Sequence, residues 1–392
     1  MGYDFSHRIS SLKPSAIREI LKATADPGVI PFAAGNPAPE SFPVEAILRF
    51  TQDILTDSPV EALQYGISEG YMPLREALKK RMKEKLNSFR DFDDLIIVSG
   101  AQQGVELTCK IFCNEGDTVI CENPSFIGSL NAIRSYNVNL RGINIEPDGI
   151  NINELENVLE TSRNVKLMYL IPNFQNPTGI TMSLEKRRAV YELAKKHSVI
   201  IIEDDPYRDL RFAGEDLPTI KSMDTEGLVV YCGSFSKTLS AGLRVGFVAA
   251  AGEIIQKLVV AKQVSDVHTT MLSQMLAERF MTQYDFEGHL MKIKEIYRHK
   301  SSLMLGGIER HFDKDIAYTS PQGGLFLWCT LPERTDMLDY IKRAASAGVA
   351  AVPGIAFLAD TGGVCNSFRL NYSTPTDEQI VTGIEIMGGI LL

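Results

Sequence analysis

Short apolar runs alternate with segments of helical periodicity through the middle of the chain. Six of these runs are predicted strands, at 95–98, 118–121, 166–171, 199–202, 228–232 and 245–250. The segments between them include a helix after residue 100 and a charged amphipathic helix at 184–197. A strand that is apolar at nearly every position is buried on both faces, which is typical of parallel sheets covered by helices. The pattern therefore predicts an α/β fold with a mostly parallel central sheet.

The pattern of predicted helices and strands changes after residue 288. A long, charged helical stretch at 288–311 has the character of a connector, and predicted strands at 323–328 and 367–372 belong to a smaller α+β unit. The length of 392 residues allows two or three domains. We expect an N-terminal segment, 1–44, that packs with the small unit, a large domain at 45–288, and a connector helix with the small domain at 289–392.

Composition excludes several classes of protein. The net charge of −9 and the lack of a Lys- and Arg-rich block argue against a nucleic-acid partner. The long uncharged stretches, 167–184 and 344–359, contain Pro and Gly, so we expect no membrane partner. The first 14 residues lack the apolar run of a secretory signal. The six cysteines show no metal-ligand spacing and indicate free thiols in the cytoplasm, and we expect no metal site.

The stretch 233–246 contains Lys237 among small hydroxylated residues, with Arg244 seven positions later. A lysine amine can form a Schiff base with an aldehyde, while hydroxyls and an Arg hold a phosphate group. This arrangement suits a phosphorylated aldehyde and predicts that the cofactor is pyridoxal 5'-phosphate (PLP).

Two segments at the ends of predicted strands add to this pattern. Residues 99–103 open a helix after a glycine, Gly100, and the free N–H groups of a helix N-terminus suit an anion. An ordinary tight turn between strand and helix is the alternative. Asn176 precedes a proline, which holds its amide in a rigid turn suited to a phenolic oxygen. A purely structural turn is the alternative there.

Two carboxylates, Asp204 and Asp205, follow a very apolar strand. A carboxylate there can pair with a pyridinium nitrogen and keep it protonated. Strand side chains alternate, so only one of the two faces a given side, and a helix cap or a solvated acidic turn is the alternative. Ligand sites in open α/β sheets lie outside the carboxyl ends of the strands, so these segments and Lys237 can converge on one crevice.

Over nearly its whole length the chain resembles the class I/II aminotransferases of PLP fold type I. Residues 30–37 resemble the family's N-terminal glycine loop, and residues 63–66 with Gly70, Leu74 and Arg75 resemble its next motif. The resemblance implies a seven-stranded, mostly parallel sheet with helices on both faces and a smaller α+β domain. Taken together, its motifs most resemble those of the multi-substrate aromatic, 2-aminoadipate and kynurenine-type branch of the family.

The resemblance also implies roles for individual residues. Lys237 would be the Schiff-base lysine and proton carrier, Asp204 the partner of the ring nitrogen, and Phe126 the residue stacked on the ring. Asn176 and Tyr207 would bond the ring oxygen. The phosphate would be held by Gly100, Ala101, Gln102, Ser234, Ser236 and Arg244. Tyr65 would reach the phosphate of the neighbouring subunit, which implies a homodimer with shared active sites. Arg369, with Gly35 and Asn176, would bind the substrate carboxylate.

These inferences predict an aminotransferase that moves an amino group from an L-amino acid to a 2-oxo acid by a ping-pong mechanism. Two alternatives stay open at this point. Other enzymes of the same fold type are β-lyases or decarboxylases. Some bacterial regulators carry an aminotransferase-like effector-binding module behind a helix-turn-helix domain, although the start of this chain leaves no room for such a domain before Pro14.

Overall fold

The computed structural model describes residues 3–10, 12, 28–360 and 362–390. Its main feature is an eight-stranded sheet with the strand order β1-β8-β7-β6-β5-β2-β3-β4. The strands are β1 (Asp93–Val98), β2 (Thr118–Asn123), β3 (Asn139–Glu146), β4 (Gly149–Ile150), β5 (Val165–Leu170), β6 (Ile200–Asp204), β7 (Val229–Ser234) and β8 (Gly246–Ala251). All six strands predicted in this part of the chain are present, which confirms the α/β class.

The sheet is mostly parallel, with two antiparallel additions. Strands β7, β6, β5, β2 and β3 pair parallel in that order. Strand β8 lies between β1 and β7 and is antiparallel to both. The expected number of seven strands was one too low, because the two-residue β4 pairs with β3 at one edge. A strand of two residues is too short to leave a periodic pattern in the sequence.

Helices pack on both faces of this sheet, on a smaller sheet and on one another. They are α1 (His7–Ser10), α2 (Val44–Asp57), α3 (Pro59–Leu63), α4 (Met72–Glu84), α5 (Ala101–Phe112), α6 (Ile127–Arg134), α7 (Ile152–Thr161), α8 (Leu184–His197), α9 (Gly252–Gln263), α10 (Met271–Gln283), α11 (Phe286–His311), α12 (Met337–Ser346) and α13 (Asp377–Gly388). Val119 and Cys121 pack in one apolar cluster while Ile120, between them, packs in another. The near-continuous apolar runs therefore reflect burial on both faces.

A second, four-stranded sheet has the order β11-β12-β10-β9. Its strands are β9 (Ala317–Tyr318), β10 (Phe326–Thr330), β11 (Val352–Pro353) and β12 (Ser367–Asn371). The predicted strand at 323–328 thus begins three residues later than expected, after a glycine pair. The described part of the N-terminal segment contacts this region, since Ile30 bridges to Val349 and Asn371 N donates to Phe32 O at 2.9 Å.

Three features of the described residues bear on the class of protein. None of the helices found there is both long and apolar enough to cross a membrane. The same residues contain no group of His, Cys, Asp or Glu side chains that could hold a metal ion. All six cysteines lie in the described part of the chain and are free thiols.

Candidate active site

One cavity of about 420 Å³ contains nearly all of the predicted site residues. It is lined by loops that follow β5, β6 and β7, by the N-terminal segment around Gly35, and by Phe326 and Arg369 of the smaller sheet. Among the predicted residues, only Gly100 and Tyr65 are not part of its lining. The carboxyl ends of the strands therefore meet in one crevice, as expected for an open α/β sheet.

Lys237 lies in the loop after β7 and lines the cavity. Its Nζ donates to the carbonyl oxygen of Gly35 at 2.8 Å. Removal from water lowers the pKa of the Lys237 amine to about 8, and the positive charges of Arg369 and Arg244 act in the same direction. A substantial fraction of this amine is therefore neutral near physiological pH and able to act as a nucleophile or base.

Gly100 lies beside the cavity, against the guanidinium of Arg244, and the two form a cradle suited to an anion. Gly100 has a φ of 86°, and a Cβ there would lie 2.3 Å from Nη2 of Arg244, so both conformation and space favour glycine. Helix α5 begins at Ala101 without a side-chain cap, which leaves N–H groups at its start. Ser234 Oγ donates to Ser236 Oγ at 2.9 Å, and Arg244 Nη1 donates to the same Ser236 Oγ at 3.4 Å.

Asp204, at the end of β6, supplies the carboxylate of the cavity. Its Oδ2 accepts from the hydroxyl of Tyr169 at 2.7 Å, while its buried Oδ1 has no partner among the described residues. Burial raises the pKa of Asp204 to about 7. The adjacent Asp205 is bonded instead by Asn173 and Tyr231, outside the cavity lining. The structure thereby resolves which of the two carboxylates faces the crevice.

Arg369 and Asn176 both line the cavity and are hydrogen-bonded to each other. Nη1 of Arg369 donates to Oδ1 of Asn176 at 2.9 Å, and Nη2 donates to Ala33 O at 2.8 Å. Nδ2 of Asn176 in turn donates to the hydroxyl of Tyr207 at 3.4 Å. The guanidinium lies over the ring of Phe326, 4.3 Å from its centroid, and burial lowers the pKa of Arg369 to about 10. Its Nε has no partner among the described residues.

Phe126 lines the cavity, whereas Tyr65 lies outside its lining. Phe126 precedes α6 and lines the cavity, and a Cβ on the nearby Gly128 would lie 2.6 Å from its ring. Tyr65 is 81% exposed, and its ring meets that of His268 edge-on at 5.8 Å. Sequence reasoning missed Tyr169, Ile171 and Phe326, because buried apolar strand residues look like ordinary core.

The chemistry of this lining fits PLP. An anion cradle, an unpartnered buried carboxylate oxygen, an amide paired with a phenol, and a lysine of lowered pKa match the phosphate, ring nitrogen, ring oxygen and aldehyde of the cofactor.

Comparison with known proteins gives the same result. The family model for aminotransferases of class I and II matches residues 27–386 of this chain. An aromatic-amino-acid aminotransferase of Thermococcus litoralis is 39% identical over 385 residues, which cover 97% of this chain and 92% of that protein. A crystal structure of a multiple substrate aminotransferase from Thermococcus profundus has a TM-score of 0.94 at 36% identity, covering 98% of this chain and 96% of that one.

A second solved structure concerns the cofactor directly. It is an α-aminoadipate aminotransferase from Thermus thermophilus, complexed with N-(5'-phosphopyridoxyl)-L-leucine, with a TM-score of 0.90 and 37% identity over 98% of this chain and 96% of that one. The chain belongs to the class I and II aminotransferases and is a transaminase that uses pyridoxal 5'-phosphate.

Proposed function

We propose that the cavity around Lys237 is the active site, in which the amine of Lys237 carries the cofactor and moves the substrate proton. The observation that carries this proposal is the convergence of Lys237, Asp204, Arg244 and Arg369 on one cavity. When bound, PLP supplies an aldehyde carbon for the amino group and a protonated ring that draws electrons from the substrate Cα. With PLP bound, the Lys237 amine would be the group that takes the substrate Cα proton, because burial and the neighbouring positive charges favour its neutral form.

The remaining residues of the cavity hold the cofactor in register with this amine. The cradle of Arg244, Ser234, Ser236 and the start of α5 at Gly100–Gln102 binds the phosphate. Asp204 accepts from the ring nitrogen, and the amide of Asn176 with the hydroxyl of Tyr207 bonds the ring oxygen. Phe126 packs against the face of the ring. A cofactor held at both ends in this way presents its reactive carbon to one lysine.

Arg369 binds the substrate α-carboxylate, and Gly35 adds a backbone contact. The guanidinium is buried and lies over Phe326, and among the described residues it donates to an amide oxygen and to backbone carbonyls rather than to a carboxylate. A buried cation of this kind is costly unless an anion neutralises it. The carboxylate of an amino acid or 2-oxo acid is such an anion, so both substrates bind to the same residue in turn, which gives ping-pong kinetics.

The substrates we propose are aromatic and other apolar amino acids as donors, with a 2-oxo acid as acceptor. Ala33, Ile171 and Phe326 give the substrate side of the cavity apolar walls. Within the described lining the cations are Lys237, Arg244 and Arg369, all of which already have roles, so a second carboxylate would find no free cation there. The relatives named for aromatic and multiple substrates support the same choice.

A half-reaction experiment tests both the reaction and the substrate class. Purified enzyme is mixed with aromatic, aliphatic or dicarboxylic L-amino acids in turn, and absorbance follows the conversion of bound PLP to its amine form. We expect fast conversion by aromatic donors, release of the matching 2-oxo acid, and return of the spectrum when a 2-oxo acid is added. Release of ammonia or carbon dioxide instead would point to the lyase or decarboxylase alternative. Conversion by dicarboxylic donors alone would refute the proposed substrate class.

We further propose that the enzyme is a homodimer with shared sites. Apolar side chains lie exposed on α2, α3 and the loop that follows, including Leu48 (69% exposed), Leu63 (73%) and Tyr65 (81%). A cluster of large exposed apolar residues is typical of a protein interface. Tyr65 does not line the cavity of its own chain, and a partner's phosphate gives its hydroxyl a role.

The domain division and the cellular location are also proposals. Two separate sheets joined by the 26-residue α11 support a large domain at 45–288 and a small one at 289–392, with the segment 1–44 attached to the latter. Six free thiols, four of them buried, support a reducing compartment and hence the cytoplasm.

A further inference from the structure

Tyr169 is a tyrosine of β5 that none of the roles above uses. Its side chain is fully buried, and its hydroxyl donates to Oδ2 of Asp204 at 2.7 Å. β5 and β6 are parallel neighbours in which Tyr169 pairs with Ile202. Since Ile202 and Asp204 are two positions apart, their side chains point to the same face of the sheet. The sheet register therefore brings the hydroxyl and the carboxylate together.

The two oxygens of Asp204 have different environments. Oδ2 is occupied by the Tyr169 hydroxyl, whereas Oδ1 is buried without a partner among the described residues, in a side chain that lines the cavity. A buried acceptor without a donor is unfavourable unless a ligand supplies one. Rotation of the carboxyl group would break the bond to Tyr169, so the hydroxyl fixes which oxygen is left for a ligand.

Tyr169 also favours the charged form of Asp204. Burial is the largest influence and raises the pKa of Asp204 to about 7, while the bond from Tyr169 lowers it and the charge of Asp205 raises it. Burial also raises the pKa of Tyr169 well above its usual value, so its hydroxyl stays protonated and remains a donor. The other ionisable groups that act on Asp204 or feel its charge are Glu122, Tyr207 and Cys232.

We propose that Tyr169 is a positioning residue for the cofactor ring: its hydroxyl holds the carboxyl group of Asp204 turned so that Oδ1 is left to accept the N–H of the pyridinium. The inference rests on the proposed role of Asp204. Without the hydroxyl, Asp204 is more readily protonated and free to rotate, and both changes weaken the charge-assisted bond that holds the ring nitrogen.

The test compares two cofactors in Tyr169→Phe, which keeps the ring and loses the hydroxyl. The full-length chain is stripped of cofactor, and dissociation constants are measured by fluorescence for PLP and for the analogue whose ring nitrogen is replaced by carbon. We expect the variant to bind PLP about tenfold more weakly and the analogue with unchanged affinity, because only PLP uses Asp204. Equal weakening of both cofactors, or of neither, would overturn the proposal.

Two further variants separate this inference from the role of Asp204. In an Asp204→Asn background, Tyr169→Phe should have no further effect on PLP affinity; an additional tenfold loss there would show that Tyr169 acts independently and is not the positioning residue. Should Asp204→Asn alone bind PLP as wild type does, the assignment of Asp204 itself is wrong.

Tyr191→Phe is the matched structural control. Tyr191 is also buried and donates to a carboxylate, Asp224 Oδ1 at 3.2 Å, outside the cavity. We expect it to leave both dissociation constants unchanged; thermal unfolding shows that each variant is folded, and Tyr169→Leu repeats the comparison if the Phe variant is not. A selective loss of PLP affinity in Tyr191→Phe as well would attribute the effect to general loosening and overturn the proposal.

Discussion

The guanidinium of Arg369 donates from Nη1 to Oδ1 of Asn176 at 2.9 Å, across 193 positions of the chain. This bond occupies the oxygen of the amide and turns its Nδ2 toward Tyr207. Asn176 therefore presents an N–H donor to a ligand atom bound beside the Tyr207 hydroxyl. The proposed carboxylate-binding residue thus orients a proposed cofactor-binding residue. Loss of the fork geometry at Arg369 should therefore affect more than the substrate carboxylate alone.

Arg369→Lys keeps the positive charge but loses the planar fork. We expect kcat/KM for the amino acid to fall by about tenfold to a hundredfold, the equivalent of one charge-assisted hydrogen bond. Steady-state kinetics with an aromatic donor measure the change. Arg334→Lys, at an exposed ion pair with Asp315, is the matched control and should behave as wild type. Unchanged kcat/KM in Arg369→Lys would show that the substrate carboxylate binds elsewhere.

Lys237→Ala should abolish covalent attachment of the cofactor and lower turnover by at least about a hundredfold, the usual contribution of a positioned acid–base group. Borohydride reduction followed by peptide mass spectrometry locates the phosphopyridoxyl group on Lys237 in the wild type. The exposed Lys257→Ala is the control and should retain both the adduct and the activity. An adduct that persists in Lys237→Ala would place the cofactor on another lysine.

Capture of PLP by the cofactor-free chain should depend on pH through Lys237. Its pKa is lowered to about 8 by burial and by the charges of Arg369 and Arg244, and only the neutral amine attacks an aldehyde. The rate of capture should therefore rise with pH and level off above about 8, as stopped-flow absorbance can record.

Removal of one of these charges should shift that profile in a defined direction. Arg369→Gln takes away a charge that lowers the pKa of Lys237, so the midpoint should move to higher pH. The control Arg334→Gln removes an exposed charge and should leave it in place. A midpoint near the ordinary lysine value in the wild type would contradict the proposed environment of Lys237.

Leu48→Glu combined with Leu63→Glu should convert the proposed dimer to single chains. The two side chains are 69% and 73% exposed, and a charge at each would have to be buried in the interface. Light scattering coupled to size exclusion measures the mass, and PLP affinity should fall as the contribution of Tyr65 is lost. Val364→Glu, at a site 97% exposed, is the control. A double variant that keeps the mass of two chains would place the interface elsewhere.

Apolar patterning predicted six of the eight strands of the main sheet, because burial on both faces leaves a continuous signal at each of them. It missed β3, where only one of the eight residues is buried. The pattern predicts a mostly parallel sheet, but it does not reveal one antiparallel strand within it, since a strand buried on both faces has the same pattern in either direction. The antiparallel insertion of β8 therefore appears only in the structure. The two-residue β4 falls below the length at which any period is visible.

Some residues of the candidate site could likewise be predicted from the sequence, and others could not. Lys237, Asn176 and Asp204 follow strands, and the rule that strand ends converge was enough to group them. Tyr169 and Phe326 were missed, since their importance lies in contacts between segments distant in the chain: Tyr169 meets Asp204 across neighbouring strands, and Phe326 lies beneath Arg369.

The bond from Lys237 Nζ to the carbonyl of Gly35 has a consequence for the N-terminal segment. A free ammonium has three hydrogens to donate, but a lysine nitrogen bonded to a second carbon has at most one, and it is directed by the new bond. If Lys237 carries the cofactor as proposed, we expect Gly35 to lose this hydrogen bond on cofactor attachment. Ala33 of the same segment accepts a hydrogen bond from Arg369, so we expect backbone amide exchange around residue 35 to differ between the cofactor-free and the PLP-loaded enzyme.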